Sequence, residues 1–201
     1  MTKEVERRTV LKGFTLGALG LGGVISLGKF LEVLTFPNGQ KVALAKGVIL
    51  ADKSLCSGCR ICEMVCSNFN SGGRNTASLA RISIEKEYLR GDYQPKVCHQ
   101  CVDPLCLKAC PVTALQVDRQ RGTYARVIDE RVCIGCQKCV EACRQVFRPS
   151  RPVFDAHRHR VVKCHLCFGE PQCVKYCPLG VLRMERSEKG LLVGYPVIKE
   201  D

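Results

Sequence analysis

The chain has no tryptophan, only 6% aromatic residues and three methionines in 201 positions. So few large side chains exclude a big aromatic core, and much of the folding energy has to come from cross-links or metal centres. There is no dinucleotide-binding glycine fingerprint, no phosphate-cradling glycine loop and no nucleophile with a base beside it, so a self-contained enzyme is not expected. None of the four histidines, His99, His157, His159 and His165, follows a CxxC pair, which excludes c-type haem attachment. Beyond the first 28 residues no stretch is long and apolar enough to span a bilayer, so membrane residence depends on the N-terminal segment or on a partner. Acidic residues are also few, 19 against 31 Lys and Arg, for a formal charge of +12. No RGG tract, aromatic-interleaved basic stripe or recognition-helix pattern accompanies that charge, and no nucleic acid partner is expected.

What is abundant is cysteine. Sixteen fall into four runs of four with none left over: Cys56, Cys59, Cys62, Cys66; Cys98, Cys101, Cys106, Cys110; Cys133, Cys136, Cys139, Cys143; and Cys164, Cys167, Cys173, Cys177. Runs one and three are versions of each other, LCSGCRICEMVC and VCIGCQKCVEAC. Runs two and four, CHQCVDPLCLKACP and CHLCFGEPQCVKYCP, match more closely. Each of these two continues into an apolar strand and then a charged turn ending in glycine, PVTALQVDRQRG and PLGVLRMERSEKG. The chain reads as a doubled two-motif unit.

A CxxCxxC loop lets three thiolates converge on three corners of an iron–sulfur cube while its backbone N–H groups turn toward the sulfurs. The fourth ligand comes from another run, from the closing cysteine at the start of a helix. Gly58 and Gly135 suit a close approach of backbone to a cluster, and Pro111 and Pro178 suit the first turn of such a helix. Structural zinc would call for two CxxC pairs separated by a longer loop, not three cysteines three apart plus a fourth, four times over. Disulfides are disfavoured because closely spaced CxxC pairs make poor staples. His99 and His165 sit inside CHxC loops, but each run already has four thiols, so hydrogen bonding or packing is their expected part. Four [4Fe-4S] clusters, each adding about −2, would bring the net charge to roughly +4, so most of the basicity is counter-charge. Lys108 and Lys175 are candidates for tuning cluster potentials. The basic stretch from Arg148 to Lys163 reads as a solvated hairpin leading into run four.

The N-terminal segment resembles a twin-arginine export signal on Arg7, Arg8, Leu11 and Lys12, followed by an uncharged Gly-rich run from Gly13 to Gly28; Glu6 and Val10 depart from the usual residues. That route carries folded proteins, which is compatible with clusters assembled beforehand. It implies a periplasmic location or the outer face of the cytoplasmic membrane, with the N-terminus cleaved or kept as a tether.

Motif spacing leaves two cluster pairings open: neighbouring runs, one with two and three with four, or a nested arrangement with two and three inside one and four. From about Val48 to Met184 the sequence resembles the four-cluster electron-transfer subunits of pterin-based molybdenum and tungsten oxidoreductases, and all sixteen cysteines match that pattern. The stretch CSNFNSGGRNTASLARISI beginning at Cys66 looks most like the subunits beside aldehyde-oxidising tungsten enzymes. The resemblance implies the nested pairing, with clusters on Cys56, Cys59, Cys62 and Cys177; on Cys66, Cys164, Cys167 and Cys173; on Cys98, Cys101, Cys106 and Cys143; and on Cys110, Cys133, Cys136 and Cys139. Ser67 and Arg144 stand where that family commonly has proline, which bears on local helix geometry.

The expected fold class is α+β, two loop-rich ferredoxin-like units with one nested in the other. Expected segments are an export signal at 1–28, a linker and hairpin at 29–47, turning at Pro37-Asn38-Gly39, and the first half of the outer unit at 48–91. The inner unit follows at 92–150, the second half of the outer unit at 151–190 and a tail at 191–201. The resemblance implies a non-catalytic electron relay between a catalytic oxidoreductase subunit of the pterin type and a membrane quinone-interacting subunit or cytochrome. The alternatives are a free-standing exported polyferredoxin and, against the spacing argument above, a structural zinc protein.

Overall fold

The computed structural model describes residues 33–35 and 41–195. The expected export segment and the turn at Pro37-Asn38-Gly39 lie outside the described residues. The strands on either side of that turn, β1 (Val33–Thr35) and β2 (Lys41–Ala43), pair antiparallel.

The next strand, β3 (Ala45–Ala51), begins two residues before the expected end of the linker. It is partnered by β10 (Leu182–Leu191), the last strand of the described chain, in register from Leu182 opposite Ala51 to Arg186 opposite Gly47. The charged stretch after Met184, read from sequence as a turn, stays in this strand: a bulge carries the pairing on to Leu191 opposite Ala45. Gly190, at φ +94°, lies in that irregularity, and a Cβ there would sit 2.5 Å from Leu44 Cβ. Between these strands come three hairpins: β4 (Ser83–Glu87) with β5 (Asp92–Lys96), β6 (Leu115–Val117) with β7 (Arg126–Ile128), and β8 (Val153–Asp155) with β9 (Arg160–Val162). The first straddles the expected boundary at 91/92. The last is the expected basic hairpin, but Arg151, Asp155, Val161, Val162 and Lys163 are buried, so only its turn is solvated.

Helices α1 (Ile61–Asn70), α2 (Leu105–Lys108), α3 (Lys138–Arg144) and α4 (Gln172–Lys175) each lie in the second half of one of the four cysteine runs and carry Cys62 and Cys66, Cys106, Cys139 and Cys143, and Cys173 respectively. Helix α1 packs on α4, and α2 on α3. Together with the β3–β10 pairing this gives an α+β fold in which one unit, closed by distant segments, encloses another closed locally. Each has its own core. The outer one gathers Ile49, Ile82, Val97, Val181 and Leu182 around Cys62, Cys66 and Cys173; the inner one gathers Leu115, Val140 and Val161 around Cys106, Cys139 and Cys143.

The prolines correct one expectation. Pro111 and Pro178 do not open helices: they lie in turns just after α2 and α4, where a residue without an N–H cannot continue the helix. The prolines that open helices are Pro104 and Pro171, next to the first residue of α2 and α4, where the backbone donor would have no acceptor. In runs one and three, Ser67 and Arg144 follow the closing cysteine and the helix continues through it, giving the longer α1 and α3.

Candidate metal centres

The duplication seen in the sequence is repeated in the backbone. Gly58 and Arg60 lie at φ +72° and +61°, and their counterparts Gly135 and Gln137 at +70° and +59°. In the CHxC loops Gln100 is at +51°, while Leu166, Cys167 and Phe168 run consecutively at +59°, +43° and +60°. Each non-glycine residue held there costs about 1–2 kcal/mol, so the surroundings must over-determine these loops. The two glycines meet protein: a Cβ on Gly58 would fall 2.2 Å from the Tyr93 ring, and one on Gly135 only 2.4 Å from the His159 carbonyl oxygen. Close approach is required, but toward β5 and the β8–β9 turn.

These loops, with α1–α4, bring cysteines of different runs together. Cys56, Cys59, Cys62 and Cys177 line one cavity; Cys66, Cys164, Cys167 and Cys173 line a second; Cys110, Cys133, Cys136 and Cys139 line a third. The rest of each lining is mostly apolar, for example Ile84, Pro95 and Leu182 in the first. Cys98, Cys101 and Cys143 face Cys106, whose thiol burial and these neighbours push up to about 12. Against this fourth set lies the C-terminal stretch: Val102 N–H donates to Val193 O at 3.0 Å, Asp103 N–H to Tyr195 O at 2.8 Å, and a Cβ on Gly194 would lie 2.8 Å from Cys101 Sγ. The segment expected as a tail is therefore part of the run-two loop's packing.

Among the described residues no three His, Cys, Asp or Glu side chains converge tightly enough for a single ion. A tetrahedral zinc with bonds of about 2.3 Å would draw its sulfurs to about 3.8 Å apart. The sulfurs here surround space instead.

Several donors point at sulfur. The N–H of Arg81 reaches Cys66 Sγ at 3.2 Å, and that of Arg151 reaches Cys143 Sγ, the matching position of the other copy, at 3.3 Å. Val161 N–H donates to Cys133 Sγ at 3.4 Å, and Asn70 Nδ2 approaches Cys66 Sγ at 3.7 Å. Burial also pushes Cys62 up to about 12 and Cys139 up to about 11, and raises Cys66, Cys164 and Cys173. A metal bound there would displace the thiol protons. Four thiols around a common space, with N–H groups directed at sulfur and buried cations nearby, fit a compact anionic iron–sulfur group.

The cations differ from those expected. Lys108 pairs with Asp103 at 2.5 Å, and Lys175 is exposed beside the Tyr176 ring. The buried ones are Lys163, Arg126, Arg151 and Arg81. Lys163 Nζ donates to Arg126 O at 2.7 Å and to Gln100 Oε1 and Cys164 O at 3.5 Å. Burial opposes its charge, but Cys98, Cys106 and Cys164 hold its pKa above the ordinary lysine value. Sequence reasoning missed Lys163, Gln100 and Arg126.

Both CHxC histidines pack. His99 stacks on Phe147 at 4.7 Å, a ring that Arg151 also lies over; His165 stacks on Phe168 at 4.1 Å, a ring that Arg121 also lies over. Burial, helped by Arg151 and Lys96 for His99 and by Arg81 for His165, pulls both down to about 4, so both are neutral at pH 7.

The 4Fe-4S dicluster domain family matches residues 89–187. The sequence is 41% identical over 130 residues to the polyferredoxin-like subunit of an aliphatic sulfonate oxidoreductase from Pyrococcus furiosus, covering 64% of this protein and 70% of that one. It is 34% identical over 159 residues to YnfG, a probable anaerobic dimethyl sulfoxide reductase chain of Escherichia coli (69% and 72%). A further relative from the same organism, a component of its anaerobic dimethyl sulfoxide reductase, is 32% identical over 152 residues (65% and 69%). With sixteen cysteines gathered in this geometry, the chain belongs to the 4Fe-4S dicluster-domain family of ferredoxin-type electron-transfer subunits of oxidoreductase complexes.

Proposed function

We propose that the chain holds four [4Fe-4S] clusters and relays electrons between a catalytic oxidoreductase subunit, of the pterin molybdenum or tungsten type, and a membrane quinone-interacting subunit or cytochrome. The observation that carries this reading is that each of three cavities is lined by three cysteines of one run and one of another. The ligand sets are Cys56, Cys59, Cys62 with Cys177; Cys164, Cys167, Cys173 with Cys66; Cys98, Cys101, Cys106 with Cys143; and Cys133, Cys136, Cys139 with Cys110. Each cluster supplies one-electron storage with no bond made or broken in the protein. The chain contributes thiolates, N–H donors to sulfur and a dry lining, and carries no catalytic residue.

In this reading the sets follow one another as a row: Cys62 of the first is near enough to Cys173 of the second for their charges to interact, Cys98 of the third likewise to Cys164 of the second, and the third and fourth share the α2–α3 core. The end sets are also the ones with exposed cysteines, Cys59 and Cys136. The proposed setting is the periplasmic side of the cytoplasmic membrane, reached in folded form by the twin-arginine route.

Analysis of the purified chain should find sixteen iron and sixteen acid-labile sulfide per molecule; zinc, or no labile sulfide, would sink the cluster reading. Co-purification with a large pterin enzyme separates an obligate subunit from a free polyferredoxin. Replacing Arg7 and Arg8 together by Lys should hold the protein in the cytoplasm, and unchanged export would remove the twin-arginine assignment.

A further inference from the structure

At the seam between the two units lies a buried ammonium with no carboxylate partner among the described residues. Lys163 is only 3% exposed, and the oxygens it donates to are the main-chain carbonyls of Arg126 and Cys164 and the amide of Gln100. Gln100 is itself fixed: its Nε2 donates to Cys164 O at 3.1 Å and its Oε1 accepts from Arg126 N–H at 2.8 Å. These contacts hold the ammonium in place without neutralising it, and a buried charge left unpaired is costly. The groups that can balance it are the sulfurs of Cys98 and Cys106 on one side and Cys164 on the other. In the duplicate run the matching position, just before Cys98, is Val97, which is also buried. Packing at this position therefore has an apolar solution, and the chain uses a charge once.

We propose that Lys163 is a positioning cation shared by the two middle sets of the row, Cys66/Cys164/Cys167/Cys173 and Cys98/Cys101/Cys106/Cys143, and that it raises the reduction potential of both, so that an electron crossing between the units meets its most favourable stopping points there. The proposal rests on the ligand sets given above. A fixed positive charge next to two anionic groups stabilises whichever of them gains the electron, and the step transfers one electron with no proton moved at Lys163. Burial keeps bulk solvent and its ions away from the ammonium, so the charge is weakly screened. Arg126, fully buried with Cys98, Cys101 and Cys106 around it, adds positive charge on the inner side only.

The test uses the full chain with its clusters, comparing Lys163→Met and Lys163→Arg with the parent in redox titrations followed by electron paramagnetic resonance that resolves single clusters. Lys163→Met should shift the reduction equilibrium of two clusters at least tenfold toward the oxidised form, about 59 mV for one electron, and leave the other two within a factor of two. Lys163→Arg should leave all four near the parent. Full iron content with no tenfold shift, or with a shift in a single cluster, overturns the proposal. If Lys163→Met loses iron, Lys163→Arg decides: normal iron and potentials uphold a requirement for charge, and the same iron loss shows a requirement for shape, which overturns it. A parent chain with fewer than four clusters defeats the ligand sets instead, before any variant is made.

Discussion

The outer and inner units are built from the same two motifs yet are closed differently. In the inner unit β6 meets β7 after an eight-residue turn, and Leu115 is buried beside α2 and α3. In the outer unit the matching strand, β10, finds its partner in β3 about 130 residues earlier, and Leu182, the counterpart of Leu115, is buried against Ile49 and Val181. Loop-closure entropy and contact order favour forming the inner unit first. The difference teaches that a repeated motif fixes the local loop and helix, whereas the strand following it takes whichever edge the rest of the chain offers.

The comparison is broken most severely at the closing cysteines. Cys177→Ser should cost the outer unit the cluster of run one, and Cys110→Ser the inner unit the cluster of run three. Iron analysis of each variant should fall by up to four per molecule. Sequential pairing predicts instead that Cys177→Ser disturbs the cluster of run three.

A smaller effect is expected from exchanging one buried pair. Glu63 in α1 and Val140 in α3 occupy matching positions and both are buried. Glu63 accepts from Ile84 N–H at 2.6 Å and from Arg60 Nε at 2.7 Å. Val140→Glu places a carboxylate where no such partners exist and should destabilise by about 3–5 kcal/mol, while Glu63→Val leaves Ile84 N–H unpaired and should cost about 1–3 kcal/mol. Denaturant midpoints check both, and equal costs would show that the units treat this position alike.

Leu182→Ala and Leu115→Ala should each cost about 2–5 kcal/mol, but with different reach. Hydrogen exchange should show Leu182→Ala opening β3 and β10 while β6 and β7 stay protected. Smallest is the pair of loop glycines: Gly135→Ala, facing a main-chain oxygen, should lower stability more than Gly58→Ala, facing a tyrosine ring that can move. The penalty for φ above zero, about 1 kcal/mol, is common to both, so a thermal melt that ranks them the other way would show that the β8–β9 turn yields more easily than Tyr93.

The parts of this fold that local pattern dictates were legible: the four cysteine runs, the doubling, the hairpin at Val153–Val162 and the strand beginning near Gly47 all follow from spacing and alternation. The pairing of β3 with β10 was not, because neither strand names its partner, and the charges after Met184 resembled a turn. The prolines after Cys110 and Cys177 misled because proline serves both at the start of a helix and just past its end. The buried polar residues did leave a signal. Aligning the copies sets Lys163 against Val97, Gln100 against Leu166 and Glu63 against Val140, and in each pair both members are buried. A polar residue whose duplicate is apolar marks a place where the two copies meet different surroundings, and the first two of these pairs mark the seam.

The partnership of β3 with β10 also has a consequence for how the protein is made. At about 5–20 residues per second of synthesis, the edge of β3 waits roughly 7–26 seconds before Leu182 can emerge to cover it, and throughout that time run one is still separated from run four. For a ribosome-bound chain, the first thiols to appear belong to the unit that is finished last. Whatever delivers iron and sulfide has to act on a nascent outer half that is being kept open, or wait for release and fill that half after the inner one.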